Sequence, residues 1–296
     1  MKRRWLIAAL AVVAALGAAA FAGREALVLS AIGVSTEKRT LEAQTALIAP
    51  GVEIFTPPKG APPFPALIQF HGCSGYRAGW TRAWARIAND AGFLVITVDS
   101  NGVRGIDRET ALETVCKGKE LIGQERAGDV AAAIAVARAR NDVDPARIVL
   151  AGWSHGAWTV MDYLALEGAG RAPASLAARP LAAPVAGAIL FYPYCGEGTW
   201  SRLHAWKQTP RALMFTAGKD SVVSPQECRD AAAKLKREGV DVALVDYANA
   251  DHAFDDATLL GGPHAHYYDE ASARDAERQV GAFLTALAGR NENGAP

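Results

Sequence analysis

Short apolar runs alternate with amphipathic stretches along most of the chain. The runs have strand length and are almost continuously apolar, which predicts strands buried on both faces of a parallel sheet. An edge strand is expected at 52–55, where apolar and polar residues alternate. The other strands are expected at 66–70, 93–98, 147–151, 186–192, 212–217 and 242–245.

Amphipathic helices are predicted between these strands. Apolar residues recur at helical spacing in 84–91, 130–137 and 280–287. Ser224-Pro225-Gln226-Glu227 is a capping box with proline at the first helical position, and it predicts a helix that ends near Gly239. Strands alternating with helices predict one α/β domain, with a mostly parallel central sheet and helices on both faces.

The first 22 residues have the pattern of a targeting segment. Basic residues at 2–4 precede an apolar run at 5–21, which ends in small residues suited to cleavage. We expect a cleaved signal peptide and a periplasmic or secreted protein. An uncleaved N-terminal membrane anchor is the alternative, since the run approaches spanning length, and a cytosolic start is a third reading. Residues 23–44 are predicted to be a connector, 45–290 the folded domain and 291–296 a flexible tail.

Charge and cysteine content narrow the function classes. The 296-residue chain has 31 basic and 31 acidic side chains, so it lacks the basic excess typical of nucleic-acid binding. Four cysteines in an exported chain favour disulfides, although three pairings are open and four free thiols are the competing reading. They are Cys73, Cys116, Cys195 and Cys228. No C-x-x-C spacing occurs, and neither a metal site nor a cofactor is expected.

The strongest chemical signal is Gly152-Trp153-Ser154-His155-Gly156. It follows the predicted strand 147–151 directly and opens a predicted helix, which is the context of a nucleophile elbow. An ordinary tight turn with a capping serine is the alternative. A serine hydroxyl is a weak nucleophile without a base, so a histidine is required nearby.

The base and the acid are sought beyond the carboxyl ends of later strands, where parallel sheets bind ligands. His252 follows the last predicted strand and is the candidate base, with His264 in reserve. Asp220 follows the strand 212–217 and would orient His252 and stabilise its charged form. The chain order Ser, Asp, His is that of hydrolases with a nucleophile elbow. A loop histidine and a turn-forming aspartate are the ordinary alternatives.

Other residues near these loops are candidates for binding. The N–H of His155 and that of Cys73, with Gly72 second, are expected to form an oxyanion hole. Trp153, Tyr192 and Tyr194 are candidate substrate-binding residues, with 264–268 as a rim and 100–123 as a candidate lid. Plain packing is the alternative for each of these aromatic side chains.

Four segments together resemble the dienelactone hydrolase family over roughly residues 45–288. They are HGCSG at 71–75, RIVLAGWSHGA at 147–157, TAGKDSVVSP at 216–225 and DHAF at 251–254. The resemblance implies an α/β-hydrolase fold. The namesake enzymes carry a cysteine nucleophile, whereas this chain has Ser154, which moves the expected chemistry toward general carboxylesterase activity.

The same fold implies the disulfide pairing. The strands before Cys73 and Cys116 would be neighbours, as would the strands before Cys195 and Cys228, so we expect Cys73–Cys116 and Cys195–Cys228. The expected function is hydrolysis of a small-molecule carboxylic ester or lactone. Two alternatives remain. One is a peptidase of the prolyl-oligopeptidase type, which is less favoured because the sequence shows no propeller-sized extra domain. The other is a non-catalytic binding protein on the same fold. Such binders typically lose a triad member.

Overall fold

The computed structural model describes residues 37–289. The predicted signal or anchor segment 1–22, residues 23–36 of the predicted connector and the predicted tail 291–296 lie outside the described residues. Within 37–289, no helix combines the length and the apolar character needed to cross a bilayer.

The described residues form one seven-stranded sheet in the order β1-β3-β2-β4-β5-β6-β7. The strands are β1 (Val52–Phe55), β2 (Phe64–Phe70), β3 (Leu94–Val98), β4 (Val143–Trp153), β5 (Gly187–Phe191), β6 (Arg211–Ala217) and β7 (Val242–Tyr247). β1 runs antiparallel to β3 at one edge, and the other neighbouring strands are parallel. The predicted strands are confirmed, although β4 is longer than 147–151 because Val143 also pairs with Phe64.

Seven α-helices accompany this sheet in the described part of the chain. They are α1 (Leu41–Ile48), α2 (Ala78–Asp90), α3 (Arg108–Glu113), α4 (Gly123–Arg138), α5 (His155–Gly168), α6 (Pro225–Arg237) and α7 (Glu270–Ala288). Helices α1, α4, α5 and α6 contribute to one core, and α2 and α7 contribute to the other. Successive β2 residues point to opposite faces, so Ile68 lies in the first core and Leu67 in the second. The predicted α/β architecture is confirmed.

The folded domain begins earlier than the boundary predicted at residue 45. Arg39 exchanges backbone hydrogen bonds with Ser175 and Ala177, and Thr40 caps α1. Gln44 is completely buried and donates to Asp129 Oδ1 at 2.6 Å. A polar side chain buried through a distant hydrogen bond leaves no trace in apolar periodicity, so the predicted boundary falls inside α1 and assigns 41–44 to the connector.

The parallel topology fixes where the chemistry lies. Strands β2, β4, β6 and β7 point the same way, so their carboxyl ends lie at one edge of the sheet. The segments that follow these ends carry Cys73, Ser154, Asp220 and His252. Residues far apart in the chain are therefore delivered to one surface.

Candidate active site

Ser154 occupies a strained turn between β4 and α5. Its backbone has φ 53° and ψ −115°, a conformation that L-residues rarely adopt. The turn is tight because β2 ends against it: a Cβ on Gly156 would overlap the carbonyl oxygens of Phe70 and His71. Glycine at position 156 therefore lets the end of β2 touch the start of α5, which lifts the Ser154 side chain above the sheet.

Three predicted residues form one chain of hydrogen bonds. His252 Nε2 lies 2.9 Å from Ser154 Oγ, and His252 Nδ1 lies 2.8 Å from Asp220 Oδ2. Asp220 Oδ1 accepts the N–H groups of Val222 and Val223, which fix its carboxylate. Ser154 and His252 are each 9% exposed, so this chain of hydrogen bonds is almost withdrawn from water but still reachable.

Asp251 and His264, two other ionisable residues near these loops, lie outside this chain of hydrogen bonds. Asp251 Oδ1 accepts the N–H groups of Ser221 and His252, so it joins the loop after β6 to the loop after β7. His264 lies on an exposed loop, where its ring stacks on Tyr267 at 5.6 Å between centroids.

The backbone on the other side of Ser154 belongs to residues 71–75, here called the oxyanion loop after the role expected for it from the sequence. A Cβ on Gly72 would lie 3.7 Å from Ser154 Cβ, so this loop passes directly beside the serine. The Cys73 carbonyl accepts a hydrogen bond from the Asn101 amide at 3.0 Å. His155 is the first residue of α5, where a backbone N–H has no partner within the helix.

Both expected disulfides are present. Cys73 is bonded to Cys116 and Cys195 to Cys228, which leaves no free cysteine among the described residues. The first bridge ties the oxyanion loop to the segment 100–123, the candidate lid. That segment is also held by Arg104, whose guanidinium donates to both oxygens of Asp129 on α4. Within residues 37–289, no cluster of three or more His, Cys, Asp or Glu side chains is arranged to hold a metal ion.

Residues 52–287 match the model of the dienelactone hydrolase family. The chain belongs to the dienelactone hydrolase family. Since the match covers most of the chain, the resemblance of the four segments is confirmed.

Solved structures agree with this assignment. A putative dienelactone hydrolase from Klebsiella pneumoniae subsp. pneumoniae MGH 78578 is 19% identical, with a TM-score of 0.59 over 79% of this chain and 91% of that chain. The dienelactone hydrolase-like promiscuous phosphotriesterase P91 from metagenomic libraries is also 19% identical, with a TM-score of 0.63 over 80% and 92%. Esterase 2 of Thermogutta terrifontis with bound propionate is 18% identical, with a TM-score of 0.58 over 80% and 89%. These likenesses establish the α/β-hydrolase fold.

A curated relative matches over a shorter stretch. Eighty-five residues are 35% identical to a probable dipeptidyl-aminopeptidase B of Colletotrichum graminicola, covering 29% of this chain and 9% of that protein. The chain thus spans less than a tenth of that relative.

One buried residue of this dienelactone hydrolase family member escaped the sequence analysis. Arg126, in α4, is completely buried. Its Nη1 donates to the His71 carbonyl at 2.8 Å and lies 3.2 Å from His155 Nδ1. A guanidinium is always a donor, so we assign the His155 proton to Nε2. Burial lowers the pKa of Arg126 to about 10, and burial together with the charge of Arg126 holds the pKa of His155 well below its usual value.

A second buried charge, Asp255, lies in the segment that follows β7. Asp255 Oδ2 accepts the indole N–H groups of Trp80, Trp84 and Trp153 at 3.2, 2.9 and 3.1 Å, and Oδ1 accepts the Tyr192 hydroxyl at 2.6 Å. These five residues are here called the Asp255 cluster. Burial raises the pKa of Asp255 to about 6, although the hydrogen bond from Tyr192 opposes this. Asp255 therefore serves as a buried acceptor for four side chains.

The Asp255 cluster also corrects the interpretation of Trp153 as a substrate-binding residue. Its side chain is 3% exposed and stacks on Phe191 with 5.0 Å between centroids, because it lies on the face of β4 that packs under α2. Tyr192 is equally buried, and its ring packs against the His252 ring with 4.6 Å between centroids. Tyr194 is half-buried, packs on Trp158 and donates to the Glu197 carbonyl. The sequence offered one indication of this cluster: each of the three tryptophans, if buried, requires an acceptor for its N–H group.

Proposed function

We propose that this protein is a serine hydrolase that cleaves a carboxylic ester or lactone through an acyl-enzyme intermediate. The observation that carries the proposal is the chain of hydrogen bonds from Ser154 through His252 to Asp220, placed on a strained strand-to-helix turn. A serine hydroxyl becomes a useful nucleophile when a neutral imidazole accepts its proton.

Acylation follows from this geometry. Ser154 Oγ attacks the carbonyl carbon, and its proton passes to His252 Nε2 at 2.9 Å. The bond to the leaving alcohol then breaks, and His252 returns the proton to the alkoxide. Water, deprotonated by His252, then attacks the acyl carbon, the bond to Ser154 Oγ breaks, and His252 returns the proton to Ser154 as the acid leaves. With a lactone, the acid and the alcohol remain in one molecule. Asp220, 2.8 Å from His252 Nδ1, holds the imidazole in the reactive tautomer.

The developing oxyanion would be bound by backbone N–H groups. The N–H of His155, at the start of α5, is one donor, and that of Cys73 in the oxyanion loop is the other. Such preorganised donors are worth about 3–4 kcal/mol each when deleted in other hydrolases. The disulfide and the Asn101 amide hold Cys73 in place from the opposite side.

Two observations bear on substrate and location. The related esterase 2 was solved with propionate and with butyrate, which favours short acyl chains. The two disulfides support an oxidising compartment, hence export to the periplasm or beyond. Peptide hydrolysis is a second candidate, favoured by the 85-residue likeness to a probable dipeptidyl-aminopeptidase.

The test is covalent labelling by a fluorophosphonate probe together with rates on p-nitrophenyl esters of increasing acyl length. Ser154→Ala should abolish labelling and reduce turnover by about a million-fold, as for other serine nucleophiles. Ser272→Ala is the matched control, since Ser272 is 8% exposed and lies on α7. Retention of more than about a tenth of the activity by Ser154→Ala would exclude Ser154 as the nucleophile.

Two further readouts separate the alternatives. A labelled protein that cleaves a dipeptidyl p-nitroanilide but no ester is a peptidase, and an unlabelled protein with no turnover is a binding protein. N-terminal sequencing of the exported protein distinguishes a cleaved signal peptide from an anchor.

A further inference from the structure

Arg126 is the largest completely buried side chain in the described part of the chain, and the proposed reaction leaves it without a role. It stands on α4 and reaches two other chain segments. One is the end of β2, through the His71 carbonyl, and the other is the start of α5, through the His155 imidazole. These two segments supply the two backbone donors proposed for the oxyanion.

The His71 carbonyl, at the end of β2, contacts both Arg126 and the start of α5. It accepts from Arg126, and it lies so close to Gly156 that a Cβ there would overlap it. The His71 side chain is fixed as well, because its Nδ1 lies 2.7 Å from the Gly72 carbonyl and its Nε2 accepts the Ser100 N–H at 3.1 Å. The direction of the next residues, Gly72 and Cys73, is therefore set at a point that Arg126 holds.

The surroundings of Arg126 provide too few hydrogen-bond acceptors to stabilise a purely structural charge. Among the described residues, its Nε and Nη2 have no hydrogen-bond partner. Asp129 attracts it electrostatically, but the Asp129 carboxylate is already bonded to Arg104 and Gln44. Burying an incompletely paired charge costs stability, and replacing it with an apolar side chain of similar size is often neutral or stabilising. A residue that persists at such a cost is expected to serve function.

We propose that Arg126 is a positioning residue of the oxyanion hole. It joins the His71 carbonyl to the His155 imidazole, so that the N–H groups of Cys73 and His155 converge on one point, and its positive charge favours the developing oxyanion. This inference rests on the proposed serine-hydrolase function.

The experiment compares Arg126→Met, Arg126→Lys and the control Arg138→Met, which removes an exposed arginine from the same helix. In Arg126→Met, kcat for a short-chain ester should fall about a hundred-fold with KM nearly unchanged, as for loss of an oxyanion donor. The rate of fluorophosphonate labelling should fall in parallel. Its Tm should stay close to the wild-type Tm or rise, because relief of the buried charge offsets the lost hydrogen bond to the His71 carbonyl. Arg126→Lys keeps the charge and should recover about a tenth or more of the wild-type kcat. Arg138→Met should match the wild type in every measurement.

Three results would overturn the inference. The first is a wild-type kcat and labelling rate in Arg126→Met. The second is a lowered Tm or failure to fold in Arg126→Met, because Arg126 would then be structural. The third is an Arg126→Lys variant no better than Arg126→Met. A wild-type protein that neither reacts with the probe nor cleaves esters would instead refute the proposed function, and that outcome is read before any variant is made.

Discussion

The two neighbours of Ser154 contact two buried charges of opposite sign. Trp153 donates to Asp255 on one side of the sheet, and His155 contacts Arg126 on the other. Both oxygens of Asp255 are used, by four side-chain donors, whereas two of the three guanidinium nitrogens of Arg126 have no partner among the described residues. Asp255, whose two oxygens are both hydrogen-bonded, therefore marks a structural core. Arg126, whose guanidinium is only partly hydrogen-bonded, marks a place where function outweighs stability.

The largest expected effect is on kcat, and it distinguishes Asp220 from Asp255, the two aspartates near His252. Asp220→Asn should lower kcat about ten-thousand-fold, because His252 loses the partner that fixes its tautomer, while the fold stays intact. His252→Ala should be at least as damaging, and His264→Ala, on its exposed loop, should be mild. Steady-state kinetics on a short ester and thermal unfolding check this. A larger kcat loss in Asp255→Asn than in Asp220→Asn would mean that the acid has been misassigned.

The next effect falls on stability. Asp255→Leu leaves three indole N–H groups and one phenol hydroxyl buried without their acceptor, so the free energy of unfolding should drop by about 3–5 kcal/mol. Urea unfolding measures the loss. Asp241→Asn is the control, since Asp241 is exposed and pairs with Arg211 on the surface, and it should change stability by less than about 1 kcal/mol. Equal losses of unfolding free energy in the two variants would show that Asp255 contributes no more to stability than a surface charge.

A pH test sharpens the same point. The pKa of Asp255 is raised from 3.8 to about 6 in the fold, so the folded state keeps a proton that the unfolded chain loses earlier. The contribution of Asp255 to stability is therefore complete below about pH 4 and declines as the pH rises to about 6. Asp255→Asn lacks this ionisation, so the stability of the wild type relative to that variant should fall by about 3 kcal/mol between pH 4 and 7. A difference that is constant with pH would show that Asp255 titrates alike in both states.

The smallest expected effect concerns Tyr192. Tyr192→Phe removes one donor from Asp255 and leaves the ring against His252, so stability should fall by about 2 kcal/mol with KM unchanged. Kinetics and unfolding on the same preparation check both parts. A KM raised several-fold at unchanged stability would restore Tyr192 as a substrate-binding residue.

The sequence predicted those parts of the molecule that depend on short stretches of chain. Each strand is a local apolar run, and Ser154, Asp220 and His252 each lie in the segment that follows one, so strand order and topology sufficed to bring them together. The capping box at Ser224 is similarly local, and the structure retains its hydrogen bond to the Glu227 N–H. The start of the domain was misplaced because Gln44 is buried by a bond to a residue 85 positions away.

The two buried charges could not be predicted because their partners are distant in the chain. Asp255 lies 175 residues from Trp80, and only the folded sheet brings them together. Arg126 left one trace: it shares helical spacing with Val130 and Ala137 on the face that was predicted to be buried. An arginine on such a face signals a buried charge, although the sequence does not say what it contacts.

The bridge between Cys73 and Cys116 has a consequence for anyone who prepares this protein. In a chain made in a reducing cytosol, the oxyanion loop would be tied to residues 100–123 only by weaker bonds such as that from the Asn101 amide. If such a sample is later oxidised in part, molecules with and without the bridge coexist at nearly equal mass. Specific activity would follow the redox history of the preparation, and counting active molecules by titration would give a truer rate than counting protein.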